Sequence, residues 1–232
     1  MKYFVFFLFA ISNPSFAQDS VQPVIKKTLQ PDATIFFNYH KSLTENKEEF
    51  EIQRAYFGLS HQMDDFWSAT IRLDIGSPDD VSDFSQKRRY AYFRKADLTY
   101  KKGNLQVSTG IIDMLTYKKS EELWNKRYIH KSMQDEFRFG TSADLGIMAM
   151  YNFSEILELD VAYVNGKGYN QLQTDNTFKF CTGATLVYFK PFIVRLYTDI
   201  MYKSVNQNTT SLLVGFDKPR IKTGAEIVVR QN

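Results

Sequence analysis

Trp67-Ser-Ala-Thr-Ile-Arg-Leu-Asp-Ile75 alternates without a break: Trp67, Ala69, Ile71, Leu73 and Ile75 fall on one face, and Ser68, Thr70, Arg72 and Asp74 on the other. Successive side chains of a strand point to opposite faces, so a period of two predicts a strand with one apolar and one polar surface. The same rhythm recurs at Thr34 to His40, Ile52 to Ser60, Tyr92 to Tyr100, Leu105 to Ile112, Ser142 to Phe153 and Leu157 to Val164. It continues at Phe178 to Tyr188, Phe192 to Tyr202, Thr210 to Phe216 and Ile221 to Arg230, making about eleven strands. Most run about 8 to 12 residues, longer than the globular mode of about 5 to 6 and close to the 9 to 11 that a tilted strand needs to cross a bilayer.

The connections alternate in length. Lys41 to Glu51, Ser77 to Ala91, Asp113 to Thr141, Asn165 to Thr177 and Lys203 to Thr209 are the longer members. Each is followed by a shorter one: His61 to Phe66, Lys101 to Asn104, Ser154 to Ile156, Phe189 to Pro191 and Asp217 to Arg220. Short periplasmic turns opposite long external loops are the signature of outer-membrane barrels. Tyr39, Phe57, Trp67, Tyr92, Tyr100, Tyr151, Phe153, Tyr163, Phe178, Tyr188, Phe192, Tyr202 and Phe216 stand near strand ends, where an interfacial aromatic girdle belongs. The sequence therefore predicts an all-β fold, an antiparallel transmembrane β-barrel. A soluble exported barrel or sandwich that binds a ligand is the alternative, because alternation alone does not tell which face is inside.

Composition agrees with an exported β protein. The 20 Phe, 14 Tyr and 2 Trp in 232 residues exclude disorder, and the single Cys excludes a disulfide scaffold. Mean hydropathy is -0.35, and no long apolar run follows the N-terminus, which excludes a helical membrane bundle. The pI near 8.7 comes from interspersed acids and bases, with no basic stripe for nucleic acid. Met1 to Ala17 reads as a signal peptide: Lys2 supplies the positive start, Tyr3 to Ile11 the apolar run, and Ser15-Phe-Ala17 the cleavage site. Removing Lys2 takes the formal charge from +3 to near +2. Residues 18–32 are then a periplasmic segment and 33–232 the barrel, destined for the outer membrane and its lipid. Cys181, without a partner, is expected to be a small, inert strand residue.

Four runs resemble the porin family named for the phosphate-selective porins O and P, especially its Bacteroidetes-type members. They are Phe50-Glu-Ile-Gln-Arg-Ala-Tyr-Phe-Gly58, Trp124-Asn-Lys-Arg-Tyr-Ile-His-Lys-Ser132, Phe139-Gly-Thr-Ser-Ala-Asp-Leu-Gly146 and Asn165-Gly-Lys-Gly-Tyr169. The resemblance is densest from residue 50 to 170. It implies an outer-membrane porin that passes small hydrophilic solutes, often as a homotrimer, and matches Arg127 and Lys131 to the family's loop motif. It does not imply a preference for phosphate, although anions such as phosphate stay among the candidate solutes.

On the inward faces, Arg54, Arg72, Lys95, Lys179, Arg195, Lys222 and Arg230 are balanced by Asp74, Asp97, Asp144, Glu158, Asp160, Asp199 and Glu226. Selectivity requires clusters of one sign, so these residues are expected mainly to pair along the wall. The longest loop is where a constriction could be added. Ser120-Glu-Glu-Leu-Trp-Asn-Lys-Arg-Tyr-Ile reads as a short helix with Ser120 at its N-cap and an apolar stripe of Trp124 and Tyr128. That stripe would pack on the wall and present Lys118, Lys119, Lys126, Arg127 and Lys131 to solute. The pore-lining or constriction candidates are thus Arg54, Arg72, Lys95, Lys126, Arg127, Lys131 and Arg195.

Nothing in the residue spacing points to an enzyme or a cofactor. His40, His61 and His130 have no metal-ligand or nucleophile spacing around them. Asn165-Gly-Lys-Gly-Tyr lacks the ending of a phosphate loop and reads as a strand exit turned by glycines. Asp64-Asp65 and Asp79-Asp80 read as turn residues. A count near eleven does not close a barrel of even strand number, and Val228-Val-Arg-Gln-Asn232 carries no terminal aromatic. The expectation is an N-terminal part of a longer porin, or else a twelve-strand barrel that uses Val21 to Leu29.

Overall fold

A computed structural model describes residues 3–6, 29–42, 44, 48–76, 90–127, 129–186, 191–202 and 206–231. The fold is all-β: twelve antiparallel strands form one sheet in which each strand pairs with the next along the chain. In order they are β1 (Tyr3–Phe6), β2 (Leu29–Ser42), β3 (Glu48–Gln62), β4 (Trp67–Gly76), β5 (Tyr90–Lys102) and β6 (Leu105–Asp113). Two helices follow, α1 (Leu115–Trp124) and α2 (Met133–Glu136). The sheet resumes with β7 (Ala143–Asn152), β8 (Leu157–Val164), β9 (Phe178–Leu186), β10 (Phe192–Tyr202), β11 (Gln207–Lys218) and β12 (Ile221–Gln231). Among the described residues β1 and β12 do not pair, so the sheet is open, as an incomplete barrel would be.

All eleven strands expected from alternation are present as β2 to β12. β1 lies within the segment read as a signal peptide and pairs with Tyr39 to Ser42. β2 starts at Leu29, so the end of the segment read as periplasmic is strand. Pro31 is accommodated there because that half of β2 has only β3 as a described neighbour, and a missing amide is tolerated at an edge. The rest of the Val21 to Leu29 segment, and Asp79-Asp80, lie outside the described residues.

The burial pattern inverts that of a water-soluble sheet. In β10 Arg195 is 1% exposed while its neighbour Leu196 is 55% exposed. In β9 Lys179, Cys181 and Thr185 are buried, whereas Phe178, Phe180 and Leu186 are exposed. Leu145, Ile147, Val161, Tyr163, Val214 and Ile227 continue the exposed apolar face across the sheet. The face that takes up the loops is the polar one, here called the inner face.

Aromatic pairs mark both ends of the outer face. At the short-turn end Trp67 stacks at an angle on Tyr100 (5.1 Å), Tyr151 on Phe153 (4.8 Å) and Phe192 on Phe216 (5.2 Å). At the long-loop end Tyr39 meets Phe50 (5.0 Å) and Tyr163 meets Phe178 (5.3 Å). From Phe192 to Tyr202 a strand rises about 33 Å, or about 25 Å when tilted by 40°, the height of the apolar band on a membrane barrel. Tyr92 does not join the outer girdle. A bulge in β5 pairs Arg72 with Lys95 but Leu73 with Phe93, so Phe93 takes the outward place and Tyr92 pairs with Asp74 on the inner side.

Candidate functional site: the inner face

The longest loop folds onto the inner face, but by a different helix from the expected one. α1 begins at Leu115 with Met114 as N-cap and no side-chain cap, and ends at Asn125 (φ 48), whose amide donates to Glu121 O at 2.8 Å. Ser120 is therefore mid-helix rather than an N-cap. Its hydroxyl donates to Glu226 on β12 at 3.0 Å, a long-range partner that outcompetes local capping. The wall-facing side is Thr116, Tyr117, Ser120 and Leu123, at helical spacing, rather than Trp124 and Tyr128. Trp124 is exposed, with its indole N–H on His130 O at 2.9 Å, and Tyr128 lies outside the described residues.

Leu123 sits where two facing glycines leave room. Gly215 and Gly224 pair across β11 and β12, and a β-carbon at Gly224 would stand 2.6 Å from Leu123 Cδ2. Polar tethers surround this seat. Gln134 Nε2 donates to Glu226, Lys119 pairs with Glu158 on β8 (3.1 Å), Lys222 Nζ donates to Glu122 O (3.2 Å) and Arg230 Nη1 to Arg138 O (3.1 Å). Under α1 lies the buried apolar cluster, in which Ile112, Met114, Leu115 and Tyr117 meet Met148, Val164, Cys181 and Tyr197 of the wall. A cavity of about 10 Å³ lies between loop and wall, bordered by Tyr117, Gln134, Asp144, Lys179 and Tyr197. The loop thereby covers the inner face around Met148, Val164, Cys181 and Tyr197.

The loop from Asn165 to Thr177 is anchored by the glycines of Asn165-Gly-Lys-Gly-Tyr169. Gly166 and Gly168 both take φ 87, which turns their amides onto one carboxylate, Asp144 Oδ2, at 3.0 and 3.2 Å. These backbone donors, arranged as they would be for an anion, are filled by a residue of the wall. Tyr169 then reaches β4, donating to Asp74 Oδ2 at 2.9 Å under the guanidinium of Arg94. Burial, reinforced by Asp74, pushes the Tyr169 phenol well above its ordinary value. In the same loop Asp175 accepts from Lys167 at 2.6 Å and from the Thr177 amide at 3.0 Å, which lowers its carboxyl to about 2.

The expected wall charges pair along the sheet. Arg54 meets Asp74 (3.1 Å), Arg72 meets Asp32, and Lys179 meets Asp199 (3.5 Å). Arg195 reaches across β9 to Asp160 with two bonds of 2.7 and 3.1 Å, and donates to Thr185 at 2.7 Å. Gly183 makes this span possible, because a β-carbon there would lie 2.8 Å from both Arg195 Cζ and Asp160 Oδ1. Arg195 is therefore enclosed within the wall. Lys95 donates to Asp113 Oδ2 and Arg94 to Asp113 Oδ1, both at 2.9 Å. Consecutive strand residues normally point apart; the bulge in β5 lets both reach one carboxylate. Arg94 was not among the candidates, and only the adjacent pair Arg94-Lys95 inside a strand hints at it.

Of the loop candidates, Arg127 pairs with Glu121 (2.6 Å) and Asp135 (2.5 Å), which ties the end of α1 to α2. Burial raises the Glu121 carboxyl, with Arg127 opposing the shift. Lys126 and Lys131 are exposed. The basic residues do not form one presented row, since Lys119 and Arg127 are engaged by carboxylates. His40 pairs with Glu49 at 3.3 Å, and among the described residues no cluster could hold a metal ion.

The class of protein defined by this arrangement is an open antiparallel sheet with an apolar exterior, a charge-paired interior and a loop packed inside. No protein-family model matches the chain, and no characterised protein matches its sequence.

Proposed function

We propose that this chain forms an outer-membrane pore through which small hydrophilic solutes diffuse passively. The observation that supports it best is the inverted polarity: Arg195, Lys179 and Asp160 are buried while Leu196, Phe180 and Val161 of the same strands are exposed. An exposed apolar face of this extent requires a nonaqueous neighbour, and a height of about 25 Å between aromatic belts matches a bilayer. In the pore reading, α1 and α2 narrow the passage on the β7 to β12 side, and filtering is steric and electrostatic. The wall cations Arg54, Arg72, Lys95, Lys179 and Arg195 are matched by carboxylates, which favours weak charge selectivity over an anion filter. The signal-like N-terminus supplies the route of export.

Extraction of the chain from outer membranes, followed by heat-shifted migration on SDS gels and solute flux from reconstituted liposomes, tests this reading. The expected result is a folded, faster-migrating form and flux above empty vesicles. Release into the periplasmic fraction without detergent would instead support the soluble binding protein.

A further inference from the structure

Where the loop does not reach, the inner face opens into a polar cavity of about 550 Å³ at the short-turn end of β3 to β6. We infer that this cavity binds a neutral polyhydroxylated solute of mono- or disaccharide size. The inference rests on the pore reading and names its class of solute.

Charge balance comes first. The lining contains Lys95 and Lys101 against Asp65 and Asp97. Lys95 is committed to Asp113 at 2.9 Å, with Asp97 at 3.8 Å. An incoming anion thus finds no cationic cluster, and an incoming cation finds Asp97 already facing Lys95. Neither sign of charge is favoured, which leaves hydrogen bonding to choose the ligand.

The hydrogen-bonding groups are hydroxyls and amides set in a fixed direction. Thr99 donates its only hydroxyl proton to Asp97 Oδ2 at 2.8 Å, so the 2.7 Å contact with Ser108 is a bond that Ser108 donates. Ser60 donates to Thr70 at 3.4 Å, leaving the Thr70 proton for the cavity. Ser68 and Gln106 line the same space and have no side-chain partner among the described residues. This gives donors and acceptors side by side without net charge, and a sugar hydroxyl, itself both donor and acceptor, satisfies both. Phe66 borders the rim, but its ring is turned to Tyr100 (6.1 Å) and Lys102 of the outer face, so polar groups dominate the recognition. The volume falls within the roughly 300–1,000 Å³ of small-molecule sites.

The test is saturation-transfer NMR on the full chain folded in detergent micelles, titrated with maltose and, separately, with inorganic phosphate. The expected result is saturable maltose binding that phosphate does not displace. Ser68→Ala and Gln106→Ala should each weaken it about 2- to 10-fold, the effect of losing one hydrogen bond. Lys167→Ala, in the loop from Asn165 to Thr177, should leave it unchanged, and heat-shifted migration verifies that each variant is folded. Absence of saturable maltose binding, displacement by phosphate, or binding indifferent to both cavity variants overturns the inference. Liposome flux separates the two ideas: flux without maltose binding refutes the site alone, whereas binding without flux refutes the pore and leaves the site.

Discussion

Leu196→Arg distinguishes a lipid-facing exterior from a water-facing one at a single position. Leu196 lies on the outer face, 55% exposed, between Arg195 and Tyr197 of the inner face. It is four residues beyond Phe192 of the short-turn belt, about 13 Å along the strand and about 10 Å in height at a 40° tilt. That places it near the middle of a 25 Å apolar band. An arginine at the midplane of a membrane barrel costs about 2–4 kcal/mol. In a soluble protein a substitution at such an exposed site changes stability by no more than about 0.5 kcal/mol. Reversible urea unfolding in phospholipid vesicles, followed by intrinsic fluorescence, measures the difference. A loss of about 2–4 kcal/mol is expected, and a change within about 0.5 kcal/mol would refute lipid contact at Leu196.

Three further outcomes follow from the inner face. Arg195→Met leaves Asp160 buried without its partner and should cost about 3–5 kcal/mol in the same assay; adding Asp160→Leu should restore part of this loss. Leu123→Ala empties the seat on Gly215 and Gly224, and with Glu226→Ala it should undock α1, raising single-channel conductance and speeding amide exchange in the loop. Asp175, lowered to about 2, contributes to folding above its ordinary 3.8 and loses that contribution as pH falls through 2. The extra protection of the Thr177 amide relative to Asp175→Asn should therefore be present at pH 5 and vanish near pH 2, as hydrogen exchange would record.

The strands were legible because alternation is a local property. Each of the eleven carries its own period of two, and the long and short connections order the two ends of the sheet without any tertiary information. Interactions between distant segments were not legible. Ser120 has the composition of a cap, yet its hydroxyl serves Glu226, 106 positions away. The bulge that turns both Arg94 and Lys95 to Asp113, and Tyr92 inward, leaves no trace in a pattern of period two. The expectation that wall charges pair was sound, but the partners were hidden: Arg195 crosses a whole strand over Gly183, and Arg72 uses Asp32 of the segment read as periplasmic. The inner apolar patch of Met148, Val164, Cys181 and Tyr197 was equally unmarked, since it has meaning only with α1 above it.

Spin labels placed singly along β10, at positions 194 to 200 in a chain with Cys181 replaced, test the orientation of the sheet most directly. In vesicles, accessibility to oxygen dissolved in lipid should peak at Val194, Leu196, Thr198 and Ile200, and fall at Arg195, Tyr197 and Asp199. Oxygen accessibility without this alternation, or exposure of the Leu196 and Thr198 labels to a water-soluble relaxation reagent, would contradict a membrane-facing exterior.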